Sequence, residues 1–168
     1  MKRLFVILFL MVFLCVSKDA NAQRFAISTN LLDYILIAPN LEVELAMNQH
    51  NTISMFASAS PWRINEKYSI SQITVSPEYK YWFTMPFFGH YLGANIKYCS
   101  YDTYWNSIRY DGNLLGLGAT YGYSIIIGKK WNLVPNIGLG VGADFQPDRV
   151  RFIPLLTKFG LNIQMVIR

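Results

Sequence analysis

The sequence predicts an all-β chain: eight antiparallel strands closed into a transmembrane β-barrel of the outer-membrane type, preceded by a cleaved signal peptide. Three observations predict it. Polar and apolar residues alternate with period two after Gln23, and no later apolar run reaches the length of a spanning helix. The first residues have the outline of a secretion signal.

The leader comes first. Met1, Lys2 and Arg3 make a basic start, and Leu4 to Val16 is an apolar run too short to cross a bilayer comfortably. Ser17, Lys18 and Asp19 then lead into Ala20-Asn21-Ala22, whose alanines stand at the two positions a signal peptidase reads. Cleavage after Ala22 leaves residues 23–168 as one barrel domain beginning at Gln23. Cys15 follows Leu14, where a lipoprotein signal needs a small residue, so a lipid-modified cysteine fits less well.

The totals agree with export. The chain is 52% hydrophobic and 15% aromatic but only 15% charged, so an extensive apolar surface must be covered by a core or by lipid. The formal net charge of +5 falls when the leader takes away Lys2, Arg3, Lys18 and Asp19, and no nucleic-acid footprint remains. Only Cys99 survives processing, which excludes an intrachain disulfide, a cysteine zinc cluster and a redox pair. No metal or cofactor is expected.

The strands follow in order. Phe25 to Asp33, Leu41 to Met47, Thr52 to Ser60, Gln72 to Phe83, His90 to Tyr101, Gly112 to Ile127, Trp131 to Phe145 and Lys158 to Ile167 read as β. Between Gln72 and Phe83 the odd positions are Ile73, Val75, Pro77, Tyr79, Tyr81 and Phe83, and the even ones are mostly polar. Leu133, Ile137, Leu139 and Val141 oppose Asn136, Gly138, Gly140, Gly142 and Asp144 in the same way. In the last segment Phe159, Leu161, Ile163, Met165 and Ile167 alternate with Lys158, Gly160, Asn162 and Gln164. An even number of such segments suits a closed antiparallel barrel.

The face assignment follows from volume. An eight-stranded barrel has an interior that side chains can just fill, so Gly, Ser, Thr and Asn with a few charges make a packed polar centre, and the bulky apolar face is left for lipid. Short turns at Asn48 to Asn51, Met85 to Gly89 and Gly128 to Lys130 are assigned to the periplasm. Longer loops at Tyr34 to Asn40, Pro61 to Tyr68, Asp102 to Asp111 and Gln146 to Phe152 are assigned to the outside. Phe83, Tyr91 and Trp131 on the inner side, and Tyr98, Tyr101 and Phe145 on the outer, are candidates for the two lipid–water interfaces.

Candidate chemistry concentrates inside. Glu42, Glu44, Glu78 and Asp144 are predicted to point into the barrel with Lys80, Lys97 and Lys158, forming an ion-paired plug, since an unpaired interior charge is costly. The same carboxylates could be read as an acid–base pair, and the plug is the stronger reading. Gly138-x-Gly140-x-Gly142 is no phosphate loop, because strand alternation continues through it; with Gly116, Gly118 and Gly122 it makes room for long side chains in the lumen. Both histidines, His50 and His90, map to the periplasmic side. That leaves no Ser-His-acid arrangement at the outer rim. Trp62, Arg63, Tyr104, Trp105, Arg109, Tyr110, Arg149 and Arg151 in the outer loops have the aromatic and arginine character of contact surfaces, and equally that of interfacial anchors.

Several stretches together carry a likeness: Thr29-Asn30-Leu31-Leu32, Pro39-Asn40-Leu41-Glu42-Val43-Glu44, Pro61-Trp62, Pro77-Glu78-Tyr79-Lys80-Tyr81-Trp82, Pro86-Phe87-Phe88-Gly89-His90-Tyr91, Arg109-Tyr110-Asp111-Gly112, Tyr121-Gly122-Tyr123 and Lys130-Trp131-Asn132-Leu133. In this order they resemble a Bacteroidetes family catalogued as a domain of unknown function, regarded as outer-membrane barrels and often encoded near fimbrial components. The resemblance implies a location more than an activity. Many members of that family carry a cysteine pair in a longer final outer loop, and this chain has none there.

The sequence is accordingly read as a non-enzymatic outer-membrane barrel with a structural, adhesive or surface-assembly role, fimbria-associated by resemblance, whose partners are outer-membrane lipid and surface or fimbrial proteins. Two alternatives stand beside it: a lipid- or lipopolysaccharide-modifying barrel enzyme, and a soluble periplasmic calycin-like binder of a small apolar ligand.

Overall fold

The computed structural model describes residues 25–35, 37–65, 68–105, 108–146 and 149–167, without the side chains of 62–65, 68, 70, 105 and 108. The predicted leader and its cleavage site lie outside the described residues. Within them the chain forms β1 (Phe25–Asn30), α1 (Leu31–Ile35), β2 (Asn40–Ala46), β3 (Asn51–Asn65), β4 (Tyr68–Trp82), β5 (Gly89–Trp105), β6 (Ile108–Ile126), β7 (Trp131–Gln146) and β8 (Arg149–Ile167). Each strand pairs antiparallel with the next, and β8 returns to β1, so the ring is closed as the alternation predicts.

Face orientation is the feature on which the sequence reading turns. Ile73, Leu117, Leu139, Val141 and Phe159 are each more than half exposed, whereas Glu42, Glu44, Glu78 and Lys80 are at most 3% exposed. Ile137 also lies outside at 46%. The barrel is apolar without and polar within, the inverse of a calycin.

Three expectations are corrected. The first strand stops at Asn30 and not at Asp33, because the Asn30 side-chain oxygen accepts from the Leu32 amide (3.2 Å) and turns the chain into the one-turn helix α1. Second, most of the expected outer loops are strand. β3 and β4 stay paired from Ser60↔Gln72 out to Asn65↔Tyr68, β5 and β6 from Tyr101↔Gly112 to Trp105↔Ile108, and β7 and β8 from Phe145↔Val150 to Gln146↔Arg149. Backbone pairing continues where the apolar alternation has faded. Third, Tyr91 and Tyr101 do not belong to the interfacial belts. Tyr91 is wholly buried and the Tyr101 hydroxyl donates inward to Asp144 (2.7 Å). Phe83, Trp131, Tyr98 and Phe145 do face outward.

One irregularity positions a functional side chain. The β7–β8 register shifts between Gly138 and Leu139, which pair with Lys158 and Leu156 and leave Thr157 as the extra residue of a bulge. Thr157 and Lys158 therefore both reach the interior, Thr157 to the Asn95 amide (3.2 Å) and Lys158 to two glutamates.

Candidate functional site: an ion-paired plug beneath an open chamber

The inner half of the lumen is filled from the bottom upward. The turn between β4 and β5 carries Phe87 in a left-handed conformation (φ 67°), which sets its ring 6.1 Å from that of Trp82. Trp82 packs against Tyr91 at 4.7 Å, and both are 0% exposed. The Phe87 carbonyl accepts from Ser124 Oγ and Asn132 Nδ2, each at 2.8 Å, so the turn is fastened to β6 and β7. Room for Tyr91 comes from Gly122, where any Cβ would collide with the tyrosine ring.

On this aromatic floor sit the charges. Lys80 Nζ lies 2.9 Å from Glu42 and 2.6 Å from Glu44, and also 5.2 Å above the Tyr91 ring. Lys158 Nζ lies 3.0 Å from Glu42 and 2.6 Å from Glu78. The remaining carboxylate oxygens draw on neutral donors: Thr52 and Gln164 give to Glu44, and Asn162 gives to Glu42. Trp82 Nε1 in turn donates to Thr52 Oγ1 (3.0 Å), which joins floor to network. Gly93 leaves space for the Glu78 carboxylate. Three carboxylates thus share two ammonium groups, with hydrogen bonds covering most of the rest. This is the arrangement in which buried charge is tolerable.

Five of the seven interior residues expected from sequence, Glu42, Glu44, Glu78, Lys80 and Lys158, meet in this network. Two do not. Asp144 faces inward but higher up, held by Tyr101 and Gln146. Lys97 lies above the plug and makes no ion pair within 4 Å among the described residues. Sequence reasoning missed Thr52, Trp82, Tyr91, Asn162 and Gln164 as members. Trp82, Asn162 and Gln164 occupy the inward parity and were legible from it, and Tyr91 shares the parity of Lys97 on the same strand, with Gly122 making room for its ring.

Above the plug the lumen opens into a chamber of about 630 Å³. Its walls include Phe56, Ser58, Thr74, Lys97 and Thr157, its lower end Lys158 and Asn162, and its rim Leu32, Asp33 and Ile35 of α1. Asn162 Oδ1 is buried without a hydrogen-bond partner among the described residues.

The outer strand ends hold the other predicted residues, now on strands and not loops. Arg109 bridges to Asp102 through two hydrogen bonds (3.0 and 2.9 Å), lies 3.9 Å from Asp111 and rests over the Tyr104 ring. It offsets two aspartates that face each other across β5 and β6. Arg149 donates to Gln146, while Tyr110 and Arg151 are exposed. The side chains of Trp62, Arg63 and Trp105 lie outside the described residues. His50 sits in the turn before β3 and His90 near the start of β5, both at the end of the short turns, as expected.

The family described as protein of unknown function, DUF3575, matches residues 6–150. Among solved structures the chain is similar to the crystal structure of Neisserial surface protein A (NspA), with 12% identity and a TM-score of 0.47, covering 85% of this chain and 94% of that one. No curated protein matches the chain.

Proposed function

We propose that this chain, which belongs to the DUF3575 family of proteins of unknown function, is an exported, non-enzymatic barrel of the outer membrane that serves a structural, adhesive or surface-assembly role through its outer strand ends. The observation that carries the reading is the inverted polarity: a belt of exposed Ile, Leu, Val and aromatic side chains surrounds a buried network of three glutamates and two lysines. A continuous apolar exterior of this kind needs hydrocarbon around it. β3 to β8 have 15 to 19 residues each, more than the roughly 9 to 11 that cross a bilayer at a tilt, so their outer portions project beyond it.

Those projecting ends carry Tyr104, Arg109, Tyr110, Arg149 and Arg151, and with Trp62, Arg63 and Trp105 on the same ends they form the candidate contact surface for surface or fimbrial proteins. The fimbrial association itself rests on the resemblance and is a hypothesis. The non-enzymatic part is supported by the two histidines at the opposite end, far from an outer-rim nucleophile.

Fractionation tests the location: the protein is expected in the outer-membrane fraction, resistant to alkaline extraction, with an electrophoretic mobility that changes on boiling, and with an amino terminus at Gln23. Recovery in the soluble periplasm would overturn the reading. Unchanged lipid A in a deletion strain is expected; a missing lipid A modification would replace it with an enzymatic one. Crosslinking from Tyr110 and Arg151 identifies the surface partner.

A further inference from the structure

The ring is complete only in its inner half. β1 pairs with β8 from Phe25↔Ile167 to Asn30↔Asn162, and β2 pairs with β3 from Ala46↔Thr52 to Asn40↔Ser58. Both short strands end there. Beyond that level β8 continues from Leu161 to Arg149, and β3 from Ser60 to Asn65, with no ladder among the described residues on the sides that face each other across the missing ends of β1 and β2. Helix α1 lies against β8, and Asn30 satisfies the first groups of the β8 edge, donating to the Phe159 carbonyl and accepting from the Leu161 amide.

The chamber stands behind this breach. Its lining joins inward residues such as Thr74 and Lys97 to Ile35, Leu156 and Phe159, which are 76%, 47% and 57% exposed. Leu156 and Phe159 belong to β8, so the chamber reaches the β8 edge that β1 leaves unpaired. Counted from Ile167 or Thr52, the roughly 9 to 11 residues of one bilayer crossing end near Thr157 and Ser60. The lower rim of the opening therefore lies at the depth of the outer leaflet, with exposed Leu156 and Phe159 beside it. A volume of about 630 Å³ is that of a small-molecule site.

The polar content of the chamber selects one kind of head group. Lys158 is already neutralised by Glu42 and Glu78. Among the described residues Lys97 is the chamber's other cation, and its ammonium donates no hydrogen bond to them. Asp33 on α1 already offsets part of the Lys97 charge and would repel a second negative group, so the chamber accommodates at most one anionic centre, on Lys97. Phe56, Leu32, Ile35, Leu156 and Phe159 supply an apolar path from Lys97 toward the breach.

We propose that the outer half of the barrel is a binding site for a single-chain amphiphile with an anionic head, of the fatty-acid class, which enters sideways from the outer leaflet and seats its carboxylate on Lys97. This rests on the membrane reading above.

The test uses the full mature protein in a non-ionic detergent and [1-¹³C]decanoate as probe, followed by NMR of the carboxylate. Saturable binding to the wild type is expected, with decanol, which lacks the charge, at least tenfold weaker. Lys97→Met should lower decanoate affinity at least tenfold while leaving decanol unchanged, and Leu156→Trp at the breach should slow exchange. Arg109→Ala on the outer strand ends is the control and should bind as the wild type does. No saturable decanoate binding, or equal affinity for decanoate and decanol in the wild type, overturns the site. Because that comparison needs no variant, misfolding of Lys97→Met leaves the site testable. Fractionation of the same protein separates the two readings: a membrane-integral protein without decanoate binding loses the site alone, and a water-soluble protein loses the lateral entry with the membrane reading.

Discussion

At the scale of single residues, the lumen concentrates its energetic risk in a few groups. Lys80 is 3% exposed and contacts Glu42 and Glu44 at under 3 Å. Lys80→Met would leave three buried carboxylates with Lys158 as their one remaining ammonium. Removal of one partner from a buried network costs about 3–5 kcal/mol, since the stranded charge remains. A large drop in the urea midpoint of the detergent-solubilised barrel is expected, with partial recovery when Glu44→Gln is added. A loss of less than about 1 kcal/mol, typical of a surface pair, would mean that the network is hydrated and not a plug. Asp33 tests the opposite sign. Burial raises its carboxyl pKa above the ordinary value, against the lowering effects of the Asn30 hydrogen bond and of Lys97 and Lys158. A raised carboxyl penalises the folded state while ionised, so the penalty is present above the folded pKa and disappears as pH falls below the ordinary value. Asp33→Asn should therefore stabilise the barrel at pH 7 and have no effect near pH 3. Destabilisation at pH 7, relieved by acid, would show that the Lys97 attraction outweighs burial.

At the scale of elements, the ends of the two short strands are tied together by side chains. Asn40 Oδ1 accepts from the Asn30 amide (2.7 Å) and Asn40 Nδ2 donates to the Asn30 carbonyl (3.0 Å), so the Asn40 carboxamide closes the gap where the β1–β2 ladder stops. Asn40→Ala would orphan both buried backbone groups, at about 1–3 kcal/mol each. It should speed amide exchange through Asn30 and α1 while leaving β5 to β7 protected; unchanged exchange at Asn30 would refute the clamp. These asparagines belong to two stretches that stand out in the sequence, yet their pairing was invisible there because it depends on where β1 ends. The same limit explains β8. Period two marks Lys158 to Ile167 cleanly, but the bulge at Thr157 reverses the parity, so Arg149 to Leu156 does not continue the pattern although the ladder does. Alternation registers which side chains share a face; it is blind to backbone pairing among the mixed Ser, Tyr, Asp and Arg residues of the outer ends. Inner strands, turns and the five network residues were legible for the converse reason, since each lies on an unbroken run of alternating faces.

At the scale of the whole molecule, a small barrel must choose between a filled and a conducting interior, and this one is filled across its entire inner section. Trp82 and Tyr91 are wholly buried, Phe87 closes the turn beneath them, and the carboxylate–ammonium network occupies the level above. An ion crossing the lumen would have to displace two aromatic rings and separate Lys80 from both of its short contacts, leaving buried charge unpaired at a cost of several kcal/mol. The chamber above is consequently a blind recess, sealed on the side of the short turns. Reconstituted in a planar bilayer, the wild-type barrel should carry no resolved single-channel steps at moderate voltage. Conductance should emerge only when the floor is cut away, as in Trp82→Ala combined with Tyr91→Ala in a barrel that still shifts its mobility on boiling. Steady wild-type steps would show that the floor moves as a gate, and the recess would then have to be reinterpreted as the outer vestibule of a pore.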